Sequence, residues 1–432
     1  MYSLYKSLPK EGNRKMKQFK KIIAIFIGLM VTFSTAANAQ DIRIGLKYGS
    51  RSPKESILQN TSGFLILSGE TLLTELAETK VTVSWNAGGT ITVINPADGT
   101  PLYSYEKCAT PLQLAPRDGG TVLIDGKEYR GKVQFLYTDN GLTVINFLDI
   151  EDYLKGVIAS EMPSSWPTEA LKAQAVCARN FAMTNRNKFQ KYGFDLDDTT
   201  QTQVYSGVKG ETSATNQAVA ATKNIYLVYE GNIATTFFFS SSGGHTESSK
   251  YVWGGDYPYL IGVEDPYDTS RAWTVPYSPE EIKEKLAGIG VNIGNIINLE
   301  IVELSPSGRI IDLKIIGTNG DYHAKLEAPR SLFNLHSNLF TITKEGGTQK
   351  PTAVITATGL EERILSQPIM TATGTITPDV GTPTGYIFNG TGFGHGVGMS
   401  QYGAKGMAEQ GYSYEQILKH YFTGTALQEI VD

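Results

Sequence analysis

The chain has 432 residues, of which 41% are hydrophobic and 19% charged, a balance that excludes a disordered or fibrous chain and fits a folded protein of two or three domains. Its 38 basic and 43 acidic residues give a formal charge of −5, so nucleic acid is not an expected partner. Two cysteines and five histidines, with no Cys-x-x-Cys pair and no histidines four apart, carry no metal signature, and neither a metal nor a cofactor is expected.

Lys17, Lys20 and Lys21 precede an apolar run over 22–33, and Ala37-Asn38-Ala39 then offers the small residues a signal peptidase reads. Residues 1–39 are therefore expected to be a signal peptide, which a start at Met16 would make compact, cleaved near Ala39 for export to the periplasm, envelope or exterior. From 40 to 127 the chain is strand-like, with Ile42-Arg43-Ile44 and Val81-Thr82-Val83 among its β-branched runs and Asp125-Gly126 marking a hairpin. A small all-β domain is expected here. Cys108 and Cys177 lie far apart; export permits a disulfide between them without requiring one, and Cys177 reads as a buried hydrophobe within a helix.

Residues 149–159 read as a helix with Asp149 as its N-cap, and a second helix follows with Pro167 at its first position. Glu161 falls between them. A carboxyl there meets the negative end of the first helix dipole, and Met162, Pro163 and Trp166 can exclude water from it; both effects favour the protonated form that a general acid needs. A solvated inter-helix carboxylate is the alternative. Further on, Gln203 and Tyr205 sit in a polar stretch, a helix is expected over 213–222, and 225–229 with 233–239 read as a hairpin around Gly231-Asn232.

That hairpin leads to Ser240-Ser241-Ser242-Gly243-Gly244-His245-Thr246-Glu247, whose hydroxyls, glycines and imidazole form a hydrogen-bonding wall suited to a sugar, with a polar surface loop as the alternative. A helix is expected over 278–286, two strands over 297–316, and a Thr/Gly/Pro-rich insertion or long hairpin near 346–384. The closing run, Gly392-Phe393-Gly394-His395-Gly396-Val397-Gly398-Met399-Ser400-Gln401-Tyr402-Gly403-Ala404, is neither a Walker A loop nor a dinucleotide fingerprint, so no nucleotide is expected. It reads as a glycine-lined wall presenting His395, Gln401 and Tyr402, or else as a tightly packed buried turn. Helices over 400–409 and 413–421 complete the chain.

Three segments together resemble the SpoIID/LytB family of secreted cell-wall proteins: Glu151-Asp152-Tyr153-Leu154-Lys155-Gly156-Val157 through Glu161-Met162-Pro163 and on to Val176, the tip from Ser242 to Glu247, and the glycine-rich run. The resemblance covers roughly 128–428, apart from the insertion before Gly385, within an expected SpoIID/LytB-like domain over 128–432. It implies binding of peptidoglycan glycan strands and, for the sporulation branch, lytic transglycosylase activity on strands stripped of stem peptides, with Glu161 as the catalytic residue. It also implies glycan contacts from Gln203, Tyr205, Ser240, Ser241, Ser242, His245, Thr246, His395, Gln401 and Tyr402. No second carboxylate is obligatory, and Glu264, Asp265 and Asp268 are the nearest candidates for one. Some sporulation members hold zinc through Cys and His near the tip; the serines here leave His245 without a thiolate neighbour, so zinc is not carried over. The other branch implies a non-catalytic alternative, a glycan-binding enhancer of a cell-wall amidase. The expected fold is α+β: a mixed catalytic region of antiparallel strands and several helices, preceded by the all-β domain, with Glu161, His245 and His395 meeting in one groove.

Overall fold

The computed structural model describes residues 40–107, 110–269, 272–346 and 383–431, together with the backbone of four short strands between 352 and 376. The expected signal peptide, Cys108 and most of the insertion lie outside the described residues. Among those described, no helix is long and apolar enough to cross a membrane.

The N-terminal region is all-β, as its alternating sequence predicts. A six-stranded sheet runs Lys127–Tyr129, Val122–Ile124, Glu55–Gln59, Lys80–Asn86, Thr90–Ile94, Pro101–Glu106, and a seven-stranded sheet runs Leu196–Asp197, Asp41–Lys47, Gly141–Asp149, Lys132–Thr138, Leu112–Pro116, Phe64–Ser68, Thr71–Leu76. Strands from both sides of residue 127 thus share a sheet, and Ile42, Phe64, Val83 and Val144 pack in one core with Leu154, Val157 and Ile158 of the following helix. The boundary drawn at 127 does not separate two cores, because the β region buries its apolar face against that helix.

Among the described residues, eight α-helices follow: α1 (Ile150–Glu161), α2 (Thr168–Thr184), α3 (Ser213–Ala221), α4 (Ser249–Trp253), α5 (Pro279–Gly288), α6 (Ala328–Phe333), α7 (Gln401–Glu409) and α8 (Tyr414–Tyr421). Asp149 caps α1 by accepting from the Glu151 N–H at 2.8 Å. Two expectations shift here. Glu161 is the last residue of α1 rather than part of the gap, and Pro167 is the N-cap of α2, its carbonyl accepting from the Ala170 and Leu171 N–H groups. α2 is sheathed by a second core with α7 and α8, in which Met162, Leu171, Val176, Cys177, Met399, Leu418 and Phe422 are buried. Cys177 is the buried hydrophobe its position suggests, its thiol 3.9 Å from the Met399 sulfur.

The hairpin expected over 225–239 is cut short. Ile225–Tyr229 pairs with only Asn232–Ile233, after which Phe238–Phe239 leaves to pair in parallel with Met399–Ser400. This pairing, across some hundred and sixty residues, sets the serine tip beside the glycine-rich run. Between them lies a third core of α5, α6 and two three-stranded sheets, built around Ile282, Leu313, Phe333 and Phe388. Within it Phe340–Gly346 pairs with Pro383–Thr391 out to Gly346 opposite Pro383, so the chain leaves for the insertion and returns from it on adjacent strands.

Candidate functional site

Glu161 is delivered by the end of α1. Gly156, one turn earlier, lets the Tyr205 ring lie against the helix, since a Cβ there would come within 2.5 Å of that ring. The Glu161 carboxyl is partly buried and opens into a cavity of about 330 Å3 lined also by Ser160, Phe181, Thr200, Thr202, Phe237, Phe238 and His395. Burial pushes its pKa up to about 7, against a smaller downward pull from the Gln401 amide. Near neutrality the group is therefore divided between acid and carboxylate, the condition for giving and taking a proton in one cycle. Met162 is fully buried beside it, whereas Pro163 is exposed and does not help to dry the carboxyl.

The parallel pairing brings His395 to the same cavity. Its ring lies 5.4 Å from Phe239 and 5.0 Å from Trp253, and its Nδ1 accepts the Val397 N–H at 3.1 Å. Burial drives its pKa down to about 3, with the charges of Arg330 and Arg309 acting in the same sense and the Phe238 carbonyl opposing them. The imidazole is neutral, and with Nδ1 accepting, its proton is on Nε2. The glycines around it are required: a Cβ on Gly398, at φ +79°, would lie 2.2 Å from the Phe237 carbonyl oxygen, so the run can pack this closely only without side chains.

Gln401, the first residue of α7, donates its amide to the Glu161 backbone carbonyl at 3.2 Å and so positions the end of α1. α7 is itself capped by Ser400, whose hydroxyl accepts the Gly403 N–H at 3.1 Å. Ser400→Ala is expected to cost about 1 kcal/mol in urea unfolding, the usual loss for an N-cap.

The serine tip is stitched to the glycine run by backbone bonds, Ser241 N–H to Phe393 O at 3.0 Å and Phe393 N–H to Ser241 O at 2.8 Å. The hydroxyls of Ser241 and Ser242 are not free. Asp268 Oδ2 accepts from Ser241 Oγ and Ser242 Oγ, each at 2.8 Å, from Gly243 N at 3.0 Å and from Ser242 N. The buried Arg309 guanidinium ties the tip from the other side, donating to the His245 carbonyl at 2.7 Å and the Ser242 carbonyl at 2.6 Å. The expectation of one groove is thus met by Glu161 and His395 but not by His245, whose Nδ1 lies 2.6 Å from the Thr246 carbonyl, outside the cavity lining. Ser242 and Thr246 are likewise buried; Thr246 Oγ1 accepts the Val263 N–H at 2.8 Å. This tip does not fit zinc: its hydroxyls hold a carboxylate, and among the described residues no group of three or more His, Cys, Asp or Glu is arranged for a metal.

Gln203 and Tyr205 also prove to be interior. Gln203 Oε1 accepts from the Tyr153 hydroxyl at 3.2 Å, and the Tyr205 hydroxyl donates to Asn146 at 2.8 Å. The candidate second carboxylates are employed elsewhere: Asp265 accepts from the Tyr421 hydroxyl at 2.9 Å, Asp268 holds the tip, and Glu264 lies in a backbone bridge with His245. None lines the Glu161 cavity.

Ser240, Ser241 and Tyr402 instead line a separate cavity of about 480 Å3 with Trp273, His336 and Phe393. Its walls are aromatic. Phe393 is 50% and Tyr402 41% exposed, and Tyr402 meets Trp166 edge-on with ring centres 5.0 Å apart. Sequence reading missed Trp273, His336 and Arg309, which come from the third core, and the hydroxyl run Thr199-Thr200-Gln201-Thr202 was a signal available to it for the cavity wall.

A family model described as Stage II sporulation protein matches residues 138–229, and one described as a domain of unknown function, DUF8618, matches 258–398. The first therefore contains Glu161 and the second most of the third core together with His395. An uncharacterized protein of Brachyspira hyodysenteriae is 36% identical over 322 residues, 73% of this chain and 75% of its own length. Stage II sporulation protein D of Bacillus amyloliquefaciens is 32% identical over 304 residues, 65% of this chain and 75% of its own. The chain belongs to the stage II sporulation protein D family. The amidase enhancer of Bacillus subtilis is 33% identical over 366 residues, 79% of this chain, and the match spans 50% of that protein's length. This SpoIID-type chain thus carries the Glu161 and His395 segments within two matched regions, held together by the parallel pairing of Phe238–Phe239 with Met399–Ser400.

Proposed function

We propose that this SpoIID-family chain is an exported lytic transglycosylase of peptidoglycan glycan strands. The observation that carries the reading is the single partly buried carboxyl of Glu161, with its pKa at about 7, opening on a cavity beside a neutral imidazole. Protonated Glu161 gives its proton to the bridging oxygen as the bond from that oxygen to muramic acid C1 breaks. The carboxylate left behind takes the proton from O6 of the same sugar as O6 closes on C1, so the 1,6-anhydro end forms without water and Glu161 is returned to its acid form. One carboxyl serves both steps. His395, neutral and already accepting a backbone N–H at Nδ1, is a wall of the site rather than a competing base.

The aromatic cavity beside the serine tip supports a sugar ligand, since rings such as Trp273 and Phe393 offer flat apolar faces flanked by hydroxyls and an imidazole. Phe393→Ala and Trp273→Ala are each expected to weaken glycan binding about three- to tenfold, read as Kd by calorimetry, with a smaller change in kcat. For the enzymatic reading itself, the protein is incubated with purified glycan strands, intact and peptide-stripped, and 1,6-anhydromuramyl ends are sought by mass spectrometry. Absence of such ends from both substrates sinks it.

A second reading is favoured by the likeness to a protein named amidase enhancer over 79% of this chain. Here the cleft holds glycan without cutting it, and the chain speeds a cell-wall amidase. Glycan pull-down without anhydro ends, together with faster stem-peptide release when the protein is added to an amidase, would select this reading over the first.

A further inference from the structure

A groove of about 890 Å3 adjoins the Glu161 cavity, sharing Ser160 and Val204 with it. It runs between the hairpin Val122–Ile124/Lys127–Tyr129 and the turn Gly207–Gly210, and its size suits an extended ligand. Both walls are fixed. At the hairpin turn, Asp125 accepts from the Ile57 N–H at 2.7 Å, Ser56 Oγ at 2.9 Å and Lys47 Nζ at 2.6 Å. Gly207, at φ +62°, lies so close to the hairpin that a Cβ would sit 2.4 Å from the Glu128 carbonyl oxygen, and a Cβ on Gly210 would sit 2.7 Å from that of Gly156.

Each wall presents one lysine, Lys127 from the hairpin and Lys209 from the turn; both are exposed, and neither has an ion-pair partner among the described residues. The groove's two acids are less available. Glu128 accepts the Thr121 hydroxyl at 2.5 Å, and burial disfavours the charged form of Asp198, against smaller opposing pulls that include the charges of Arg51 and Lys127. Free donors for an anion are thus concentrated beside a cavity already read as a sugar site.

We propose that Lys127 and Lys209 make this groove a subsite for a carboxylate-bearing stretch of the glycan strand continuing from Glu161. The inference rests on the glycan reading above and adds to it a specificity for charge. The carboxylates have two sources, the lactyl ether of a peptide-stripped muramic acid or the stem peptide of an intact strand; both would pair with an ammonium and lose that pairing with salt.

The test is a set of Kd values by calorimetry at low salt in a Glu161→Gln background, so that no strand is cut. The ligands are intact strands, stripped strands, and stripped strands with their carboxyls converted to methylamides. The carboxylated strands are expected to bind about tenfold tighter than the methylamides. That preference is expected to vanish in Lys127→Met/Lys209→Met and to persist in Lys127→Arg/Lys209→Arg. Tighter binding of stripped than intact strands assigns the lactyl carboxylate, and the reverse assigns the stem peptide; either supports the subsite. Equal binding of carboxylated and amidated strands, or a preference that survives the double methionine variant, overturns the inference alone. Failure of every strand to bind overturns the glycan reading together with the inference.

Discussion

Glu161→Gln is expected to lower the release of anhydro ends by about a thousandfold while leaving the chain folded, because the amide keeps the shape of the carboxyl and can neither give nor take the proton. Pre-steady-state release of 1,6-anhydromuramyl ends, compared with the wild type on the same strands, checks it. The pH dependence has a definite sign. The first step needs the acid form, so wild-type cleavage is expected to fall as pH rises through about 7, the pKa to which burial raises Glu161. The same group affects stability. Below the ordinary glutamate range both folded and unfolded states hold the proton and there is no difference between them. As pH rises from there to about 7 the unfolded chain releases it first, and the folded state loses up to about 3 kcal/mol, a loss complete above the folded pKa. Glu161→Gln should therefore be more stable than the wild type at pH 8 and match it at pH 4 in denaturant melts.

Arg179→Met is expected to destabilise the protein by about 3–5 kcal/mol, the largest stability effect of any single change considered. The Arg179 side chain, within α2, is wholly buried and donates Nε–H to Glu151 at 2.8 Å, NH2 to the same carboxylate at 2.6 Å and NH1 to the Ile225 carbonyl at 3.2 Å. Through these bonds it fastens α1, which ends in Glu161, to α2 and to the strand leading toward the tip. The substitution strands the Glu151 carboxylate in the interior with only the Asn224 N–H, at 3.3 Å, among the described bonds. Glu151→Leu/Arg179→Met removes the stranded charge and should recover most of the loss, so a double-mutant cycle in urea separates a buried ion pair from mere packing.

Local rules made part of this readable in advance. Asp149 caps α1 because a short oxygen-bearing side chain before an apolar-periodic run has little else to do, and Glu161 stood out because it follows an expected helix end beside Met162 and Trp166. The α+β class and the all-β start followed from the same periodicities. What could not be read depends on pairing across distance. The parallel bridge of Phe238–Phe239 with Met399–Ser400 joins segments some hundred and sixty residues apart, and pairing at that distance places His395, and not His245, in the Glu161 cavity. Tyr205 looked like a ligand contact because nothing in a sequence distinguishes a tyrosine bonded to an interior Asn146 from one facing a cleft. The serine tip looked like a sugar wall because the acid that occupies it, Asp268, arrives from 26 residues beyond Ser242. Trp273 and His336 were passed over since they belong to a third core whose place beside the site depends on where its hairpin is inserted.

The central claim is that Glu161 exchanges a proton near neutral pH, and the most direct measurement is its own titration. With glutamate side-chain carboxyls labelled with 13C, the resonance absent from Glu161→Gln is assigned to Glu161 and followed from pH 4 to pH 9. The account predicts a midpoint near 7, as its burial requires; a midpoint in the ordinary range near 4.5 would contradict it.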